Sequence, residues 1–256
     1  MMVLKSRGIM ATYEHLEKAP ITEALIDIRV KLANNFQIEN LDSIGTHIAD
    51  KYPTRKIRKR FETQIQFKQG EKPSPEGIER IDGYLFSSND KKQIVQARFD
   101  GFTFSRLKPY QTWKDLRDEA RQLWQIYLKI SSPELITRVA VRYINNLNIP
   151  LPIKDFSDYL TAPPIVPEKL PQGISSFLTR TVIHEGSLGA QAIITQALEQ
   201  MVRPGFAPVI LDIDVFKEVP DGIEGDVAWE TLEKLRHFKN DIFFESITEK
   251  LKGLYL

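Results

Sequence analysis

The chain of 256 residues contains no cysteine. Disulfides, thiolate nucleophiles and cysteine-ligated metal sites are therefore excluded. Net charge is also small, because 35 lysines and arginines are balanced by 34 aspartates and glutamates. This balance excludes a uniformly basic coat for nucleic acid and an acidic tail. No apolar run reaches the about 20 residues of a membrane span, and no signal peptide is evident, so we expect a cytoplasmic protein without a membrane partner.

The segments with strand-like composition alternate apolar and charged side chains. In residues 24–32, the even positions are apolar and the odd positions include Asp27, Arg29 and Lys31. A period of two sends these two sets to opposite faces of a sheet. Such a sheet has one face that must be covered and one that must meet water, an ion or a partner.

Two long segments have helical rather than strand periodicity. Residues 112–130 carry a wide apolar stripe behind a capping Thr112, and residues 226–251 carry a second one. Asp100-Gly101 between two short apolar runs predicts a β-hairpin. The predicted fold class is α+β, with a large, mainly antiparallel, curved sheet of about seven or eight strands and long amphipathic helices packed on one face.

The order of these segments also predicts the domain organisation. Residues 1–12 lack any pattern and are expected to be a disordered N-terminal extension. A first α+β half over 13–149 is followed by a proline-rich connection at 150–173 and by a second α+β half over 174–256. Both halves contain strands and then a helix with a tryptophan near its start, so two similar halves in one compact unit are expected.

Basic side chains, mostly arginines, recur on the predicted strands. Guanidinium groups present forked donors that match phosphate or carboxylate oxygens, so several from neighbouring strands would form an anion site. Equally, they could form cross-strand ion pairs, each contributing about 0.2–1 kcal/mol. The candidate ligand-binding residues are Arg29, Lys31, Arg58, Arg60, Arg98, Arg106, Arg138, Arg142 and Arg180.

Asp212 and Asp214 form the one acidic pair with a metal-binding spacing. Two residues apart on a strand, they point to the same side and could hold Mg²⁺ or Mn²⁺. No third carboxylate stands at a diagnostic spacing, and pairing with arginines of adjacent strands explains them equally well. No cofactor is therefore predicted, and magnesium remains the alternative.

Other patterns give no catalytic set. The four histidines are scattered, and no nucleophile motif is present. Aromatic and basic residues interleave over 101–113. This pattern could bind single-stranded RNA, whose bases would stack on the rings, or the rings could pack in the core and anchor the turn into the next helix. The basic run at 51–60 could contact the phosphate backbone of a nucleic acid, or it could form an edge strand whose charges prevent aggregation.

Five longer motifs are spread along the chain. They are Tyr13-x-x-Leu16-x-x-Ala19-Pro20-Ile21-x-Glu23-Ala24, Gly101-Phe102-x-Phe104-Ser105-x-Leu107-x-Pro109-Tyr110-x-x-Trp113, Arg142-Tyr143-Ile144-Asn145, Leu211-Asp212-Ile213-Asp214, and Ile242-Phe243 with Ile247-Thr248. Together they resemble a sporadically distributed prokaryotic family of proteins of similar length and unknown function. The resemblance implies one complete family member, no established activity, and an accessory role in defence or as an antitoxin-like partner.

These observations favour a non-catalytic binding protein. Its arginine-rich sheet face, or the basic edge at 51–60, would bind a protein partner or an anionic ligand. The alternatives are a metal-dependent enzyme acting on a phosphorylated or triphosphate substrate, and an RNA-binding protein. The sequence does not indicate an oligomeric state.

Overall fold

The computed structural model describes residues 16–66, 74–200 and 204–256, and the predicted extension at 1–12 lies outside them. The strands are β1 (Ile21–Lys31), β2 (Thr54–Gln66), β3 (Ser74–Ser87), β4 (Gln93–Arg98), β5 (Gly101–Leu107), β6 (Leu135–Pro150), β7 (Leu178–Glu185), β8 (Ala190–Leu198) and β9 (Phe206–Glu218). The α-helices in this part of the chain are α1 (Ile44–Ile48), α2 (Trp113–Ser131), α3 (Gly225–Ser246) and α4 (Glu249–Lys252).

All nine strands belong to one open antiparallel sheet with the order β2-β3-β4-β5-β1-β6-β9-β8-β7. The two central strands, β1 and β6, pair with each other. After β1, the chain leaves the sheet and returns as a meander, β2 to β5, whose last strand pairs with β1. After β6 it repeats this course with β7 to β9, and each meander is followed by a long helix.

The predicted α+β class and antiparallel sheet are confirmed, but the sheet has nine strands rather than seven or eight. The lower number was wrong because the edge strands carry a weak signal. In β7, most side chains are exposed or half-buried, and residues 55–60 of β2 are largely exposed. A strand at the edge of a sheet can be exposed on both faces. Its sequence then lacks a clear apolar face, and the hydrophobic pattern does not show that it belongs to the sheet.

The predicted hairpin between β4 and β5 forms, but its turn lies one residue earlier than the predicted Asp100-Gly101. Arg98 pairs with Gly101, so the turn itself consists of Phe99 and Asp100. Gly101 has a φ of +153°, and a Cβ there would lie 2.3 Å from the carbonyl oxygen of Ile28 in β1. Only glycine allows β5 to approach β1 so closely at this point.

Helix α2 begins where the sequence predicts. The side chain of Thr112 accepts a hydrogen bond from the amide of Asp115 at 3.1 Å, and Ser132 ends the helix in the left-handed conformation. The C-terminal helix is shorter than the predicted 226–251, because Ile247 is extended and pairs with Leu160 in an isolated bridge. Among the described residues, no helix is both long and apolar enough to cross a membrane.

The core lies between the helices and the apolar face of the sheet. On that face, Phe102 of β5 packs against α2, with its ring centroid 5.7 Å from that of Trp124 and 6.0 Å from that of Tyr127. All three side chains are almost completely buried. The aromatic cluster therefore fixes α2 to the centre of the sheet, and none of the helices in the described residues packs on the opposite face.

Replacing Phe102 by alanine should lower the free energy of unfolding by about 3–5 kcal/mol, because a large cavity remains under α2. Phe99, three residues earlier and 42% exposed, provides a matched control whose replacement should cost about 1 kcal/mol or less. Urea denaturation measures both values. Equal losses for the two variants would contradict this location of the core.

Candidate functional site

The face of the sheet opposite the helices carries a network of alternating arginines and aspartates, here called the ion network. Its members come from four strands and one turn because alternation sends every second residue of each strand to that face. The side chains are Asp27, Arg29, Arg98, Asp100, Arg138, Arg142, Asp212 and Asp214.

Asp27 is the centre of this network. It is 6% exposed, and its carboxylate accepts hydrogen bonds from Arg98 and Thr103 at 2.7 Å and from Arg29 and Arg138 at 3.0 Å. Burial alone would raise the pKa of this carboxyl, but Arg98 and Arg29 outweigh it and lower the pKa overall. Asp27 is therefore a fully paired buried anion.

The remaining members extend the network on both sides. Asp100 is paired with Arg29 and also with the Nε of Arg98 at 3.0 Å. On the other side, Arg138 reaches Asp214 at 3.3 Å and lies 4.3 Å from the centroid of the Phe216 ring. Each guanidinium is thus held by at least one carboxylate, from its own strand, a neighbouring strand or the β4–β5 turn.

Asp214 has the opposite electrostatic balance to Asp27. Burial raises the pKa of its carboxyl by more than Arg138 and Arg142 lower it. Arg142 is engaged elsewhere, since its Nε donates to Asp212 at 2.8 Å. Two carboxyls that share Arg138 therefore have pKa values shifted in opposite directions.

The ion network surrounds a concavity of about 570 Å³ on the uncovered face. Four of the predicted candidates meet there, Arg29, Arg98, Arg138 and Arg142, and each already contacts a carboxylate. Four arginines and four aspartates give the network no net charge. This arrangement is the cross-strand ion pairing that the sequence left as an alternative to an anion site.

The other predicted candidates do not line this concavity, although Arg58 donates a hydrogen bond to Gln96 in its wall at 3.1 Å. Arg58 and Arg60 pair with Asp82 at 3.2 and 3.3 Å, and Lys31 pairs with Glu134 at 3.8 Å. Arg106 shares the apolar face with Phe102, so it lies on the other side of the sheet. Arg180 is exposed on the edge strand β7 and forms no ion pair with any described residue.

The predicted acidic pair shows no metal-binding geometry in the described residues. Asp212 and Asp214 share a face, and their carboxylates contact Arg142 and Arg138 respectively. Residues 16–66, 74–200 and 204–256 contain no group of three histidines, aspartates or glutamates close enough to hold an ion. Nothing in this arrangement identifies residues that would hold magnesium.

A second cavity, of about 630 Å³, lies between the sheet and α3, and sequence reasoning missed it. Its walls come from residues 16–21, from 108–113, from β6 and from α3. Trp113, Tyr110, Tyr143 and Phe243 supply aromatic surface. We call it the sheet–helix cavity.

Lys239 of α3 is the unusual residue of the sheet–helix cavity. The residue is 8% exposed, and its Nζ lies 3.9 Å from the ring centroid of Tyr143. In the described part of the chain, this ammonium has neither a carboxylate nor a hydrogen-bond partner. Burial, and then the charge of Arg236, lower the pKa of Lys239 to about 7.

The tyrosines beside Lys239 form a hydroxyl pair. The phenolic oxygens of Tyr110 and Tyr143 are 2.9 Å apart, and the two rings meet edge to face. Burial raises the pKa of both hydroxyls, so both are neutral at physiological pH. They present hydrogen-bonding groups without adding a negative charge.

The charged residues around the sheet–helix cavity are mostly cations. Lys18, Lys108, Arg236 and Lys239 contribute to its walls, against the single acid Glu17. None of the four cations forms an ion pair with a described residue. Glu233 lies just behind the wall, where it accepts a hydrogen bond from Trp113 Nε1 at 2.8 Å. Unlike the ion network, this cavity therefore combines apolar walls with more positive than negative charge.

One sequence signal could have revealed this site. Lys239 falls in the apolar stripe of α3, between Leu235 and Ile242, at helical spacing from both. A lysine in such a stripe must be buried, at a cost, or must reach solvent along its neighbours. Arg236 and Tyr143 could not be assigned to the same site without knowledge of how α3 packs on β6.

Replacing Asp27 by asparagine should destabilise the fold by about 3–5 kcal/mol at neutral pH, because several buried guanidinium contacts lose their anion. Asp214→Asn is the matched control, and it should change the free energy of unfolding by about 1 kcal/mol or less, since burial opposes ionisation there. Chemical denaturation of both variants at neutral pH measures the contrast. A larger loss for Asp214→Asn would contradict the described balance of charges.

The stability of the fold at acid pH should depend on the same two residues, Asp27 and Asp214. The pKa of Asp27 in the fold lies below its ordinary value of 3.8, so its stabilisation is present above that value and is lost as the pH falls through the folded pKa. The raised pKa of Asp214 acts in reverse, because its ionisation costs stability that is regained on protonation. Unfolding at a series of acid pH values should show a shallower loss in Asp27→Asn than in the unaltered chain.

Comparisons with known proteins do not assign either site. No model of a known protein family matches the chain, and no curated protein is similar enough to it to count as a relative. The geometry described above is therefore what carries the functional argument.

Proposed function

We propose that this chain is a binding protein for a small anionic ligand with an apolar or aromatic part, held in the sheet–helix cavity. The observation that carries the proposal is the ammonium group of Lys239, which is buried there and has no counter-ion among residues 16–66, 74–200 and 204–256. Moving a cation out of water is costly unless an anion compensates it. A carboxylate, sulfonate or phosphate of the ligand would supply that missing charge.

The surroundings of Lys239 support such a ligand. Arg236 adds a second cation from the same helix, and Tyr110 and Tyr143 add neutral hydroxyls. The aromatic walls suit an apolar group attached to the anion. A volume of about 630 Å³ also falls within the range of about 300–1,000 Å³ that small-molecule sites occupy.

The ion network supports a different kind of contact. Its arginines are already neutralised, so a free anion would have to displace Asp100 or Asp214 from them. A protein partner with charges of both signs suits this face better, because it can complement arginines and aspartates together. We retain the uncovered sheet face as a second candidate, a surface for a protein partner.

Metal-dependent catalysis and RNA binding have less support from the geometry. A metal-dependent enzyme would need carboxylates free to bind an ion, whereas Asp212 and Asp214 contact arginines. RNA binding through 101–113 would need exposed rings, whereas Phe102, Phe104 and Trp113 are buried. A role in defence remains an expectation from the family resemblance.

Substituting Lys239 by methionine should weaken binding of anilinonaphthalene sulfonate, an aromatic anion that fluoresces in apolar sites, by about tenfold or more. The methionine side chain is unbranched like that of lysine, is one atom shorter and carries no charge. Lys129→Met, an exposed position near the end of α2, is the control and should bind as the unaltered chain does. Equal affinity for all three proteins would contradict a ligand site at Lys239.

The same Lys239→Met variant should be more stable than the unaltered chain at neutral pH by about 1–3 kcal/mol, because an unpaired buried polar group is removed. If Lys239 instead stabilised the fold, its replacement by methionine would lower the free energy of unfolding. Urea denaturation without ligand measures this difference. Loss of stability in the methionine variant would remove the main support for the proposal.

Affinity for the sulfonate should fall as the pH rises through about 7, since Lys239 then loses its proton. Tyr110 and Tyr143 stay neutral in this range because their pKa values are raised. Glu17, Lys18, Lys108 and Arg236 are the other charged groups at the cavity. Fluorescence titrations on both sides of neutrality test this, and Lys239→Met should show a flat profile.

A further inference from the structure

The amine of Lys239 has a chemical property that anion binding does not use. A lysine whose pKa lies near 7 is neutral in about half of the molecules at that pH, and a neutral amine carries a nucleophilic lone pair. Exposed lysines remain protonated there, because their ordinary pKa is near ~10.4. Lys239 is thus set apart from the surface lysines of the chain.

The position of the amine also suits a reaction with a ligand. Lys239 contributes to the wall of a cavity large enough for a small molecule, and no described carboxylate or hydrogen-bond acceptor occupies its Nζ. The Tyr143 ring lies against the amine at 3.9 Å and supplies an apolar neighbour. Apolar surroundings favour the uncharged form that attacks carbonyl carbon.

We propose that Lys239 forms a reversible imine with an oxo acid, a small carboxylate that also carries an aldehyde or ketone group. This inference rests on the proposed function, because it requires a ligand in the sheet–helix cavity. Cations from two different segments, Arg236 and Lys108, are available for the carboxylate of such a ligand. One O–H of the Tyr110–Tyr143 pair is used in their mutual hydrogen bond, and the other provides a donor for its carbonyl oxygen.

The reaction is balanced without any oxidant or reductant. The lone pair of Nζ forms a bond to the carbonyl carbon, and the carbonyl oxygen accepts a proton while the nitrogen releases one. The resulting carbinolamine then loses its hydroxyl group and the remaining N–H proton as one molecule of water. Hydrolysis of the imine reverses both steps and returns the amine and the oxo acid.

Trapping with glyoxylate and sodium cyanoborohydride tests the proposal on the full chain. The reductant converts an imine into a stable secondary amine, which intact-protein mass spectrometry detects and peptide mapping assigns to a residue. Near pH 7, we expect an adduct at Lys239 that forms about tenfold or more faster than the one at the exposed Lys129, and peptide mapping separates it from the adduct of the α-amino group. In Lys239→Met, the fast adduct should disappear, while Lys129→Met should retain it.

Circular dichroism of each variant verifies that loss of the adduct does not reflect loss of the fold. Labelling of Lys239 at the same rate as exposed lysines would overturn the imine proposal. If glyoxylate displaces anilinonaphthalene sulfonate without forming an adduct, the imine is excluded and the anion site stands. If Lys239→Met binds the sulfonate normally and the chain forms no fast adduct, both proposals fail.

Discussion

The register between β1 and its two neighbours is the constraint on which the polar face depends. In that register, Arg29 stands directly opposite Arg138, and Asp27 stands opposite Thr103 of β5. Two opposed arginines would repel each other, but Asp27 contacts both guanidinium groups at 3.0 Å. A slip of one residue would place Asp27 among the apolar side chains under the helices and would separate it from every partner. The network thus specifies the pairing of the central strands, and not only their stability.

The two candidate sites differ in how their charges are balanced. On the uncovered face, charges are numerous and compensate one another, so the surface is neutral and ordered. In the sheet–helix cavity, charges are few and mostly positive, and no carboxylate of the described residues pairs with Lys239. Buried charge without compensation costs stability, and such costs are concentrated at sites that bind or react with other molecules. For this reason the cavity, rather than the more conspicuous arginine array, carries the functional proposal.

Local patterns predicted much of the fold and little of the site. The apolar stripe behind Thr112 predicted α2, and strand alternation predicted which residues share a face, since both depend on neighbours in sequence. The partner of each arginine depends on register between distant segments. Arg142 and Asp212, for example, are 70 positions apart. The burial of Lys239 likewise follows from how α3 packs on β6, which periodicity of the helix alone does not determine.

The walls of the sheet–helix cavity come from parts of the chain that lie far apart in sequence. The segment before β1 is joined to the C-terminal end by a hydrogen bond from the Lys18 amide to the Tyr255 carbonyl at 3.0 Å, and α3 completes the enclosure. Unfolding of residues 16–20 or of α3 would therefore remove part of the cavity wall. An occupant requires both segments to be folded, and by mass action it would suppress their local unfolding together. Proteolytic resistance of these two segments would then report on occupancy of the cavity.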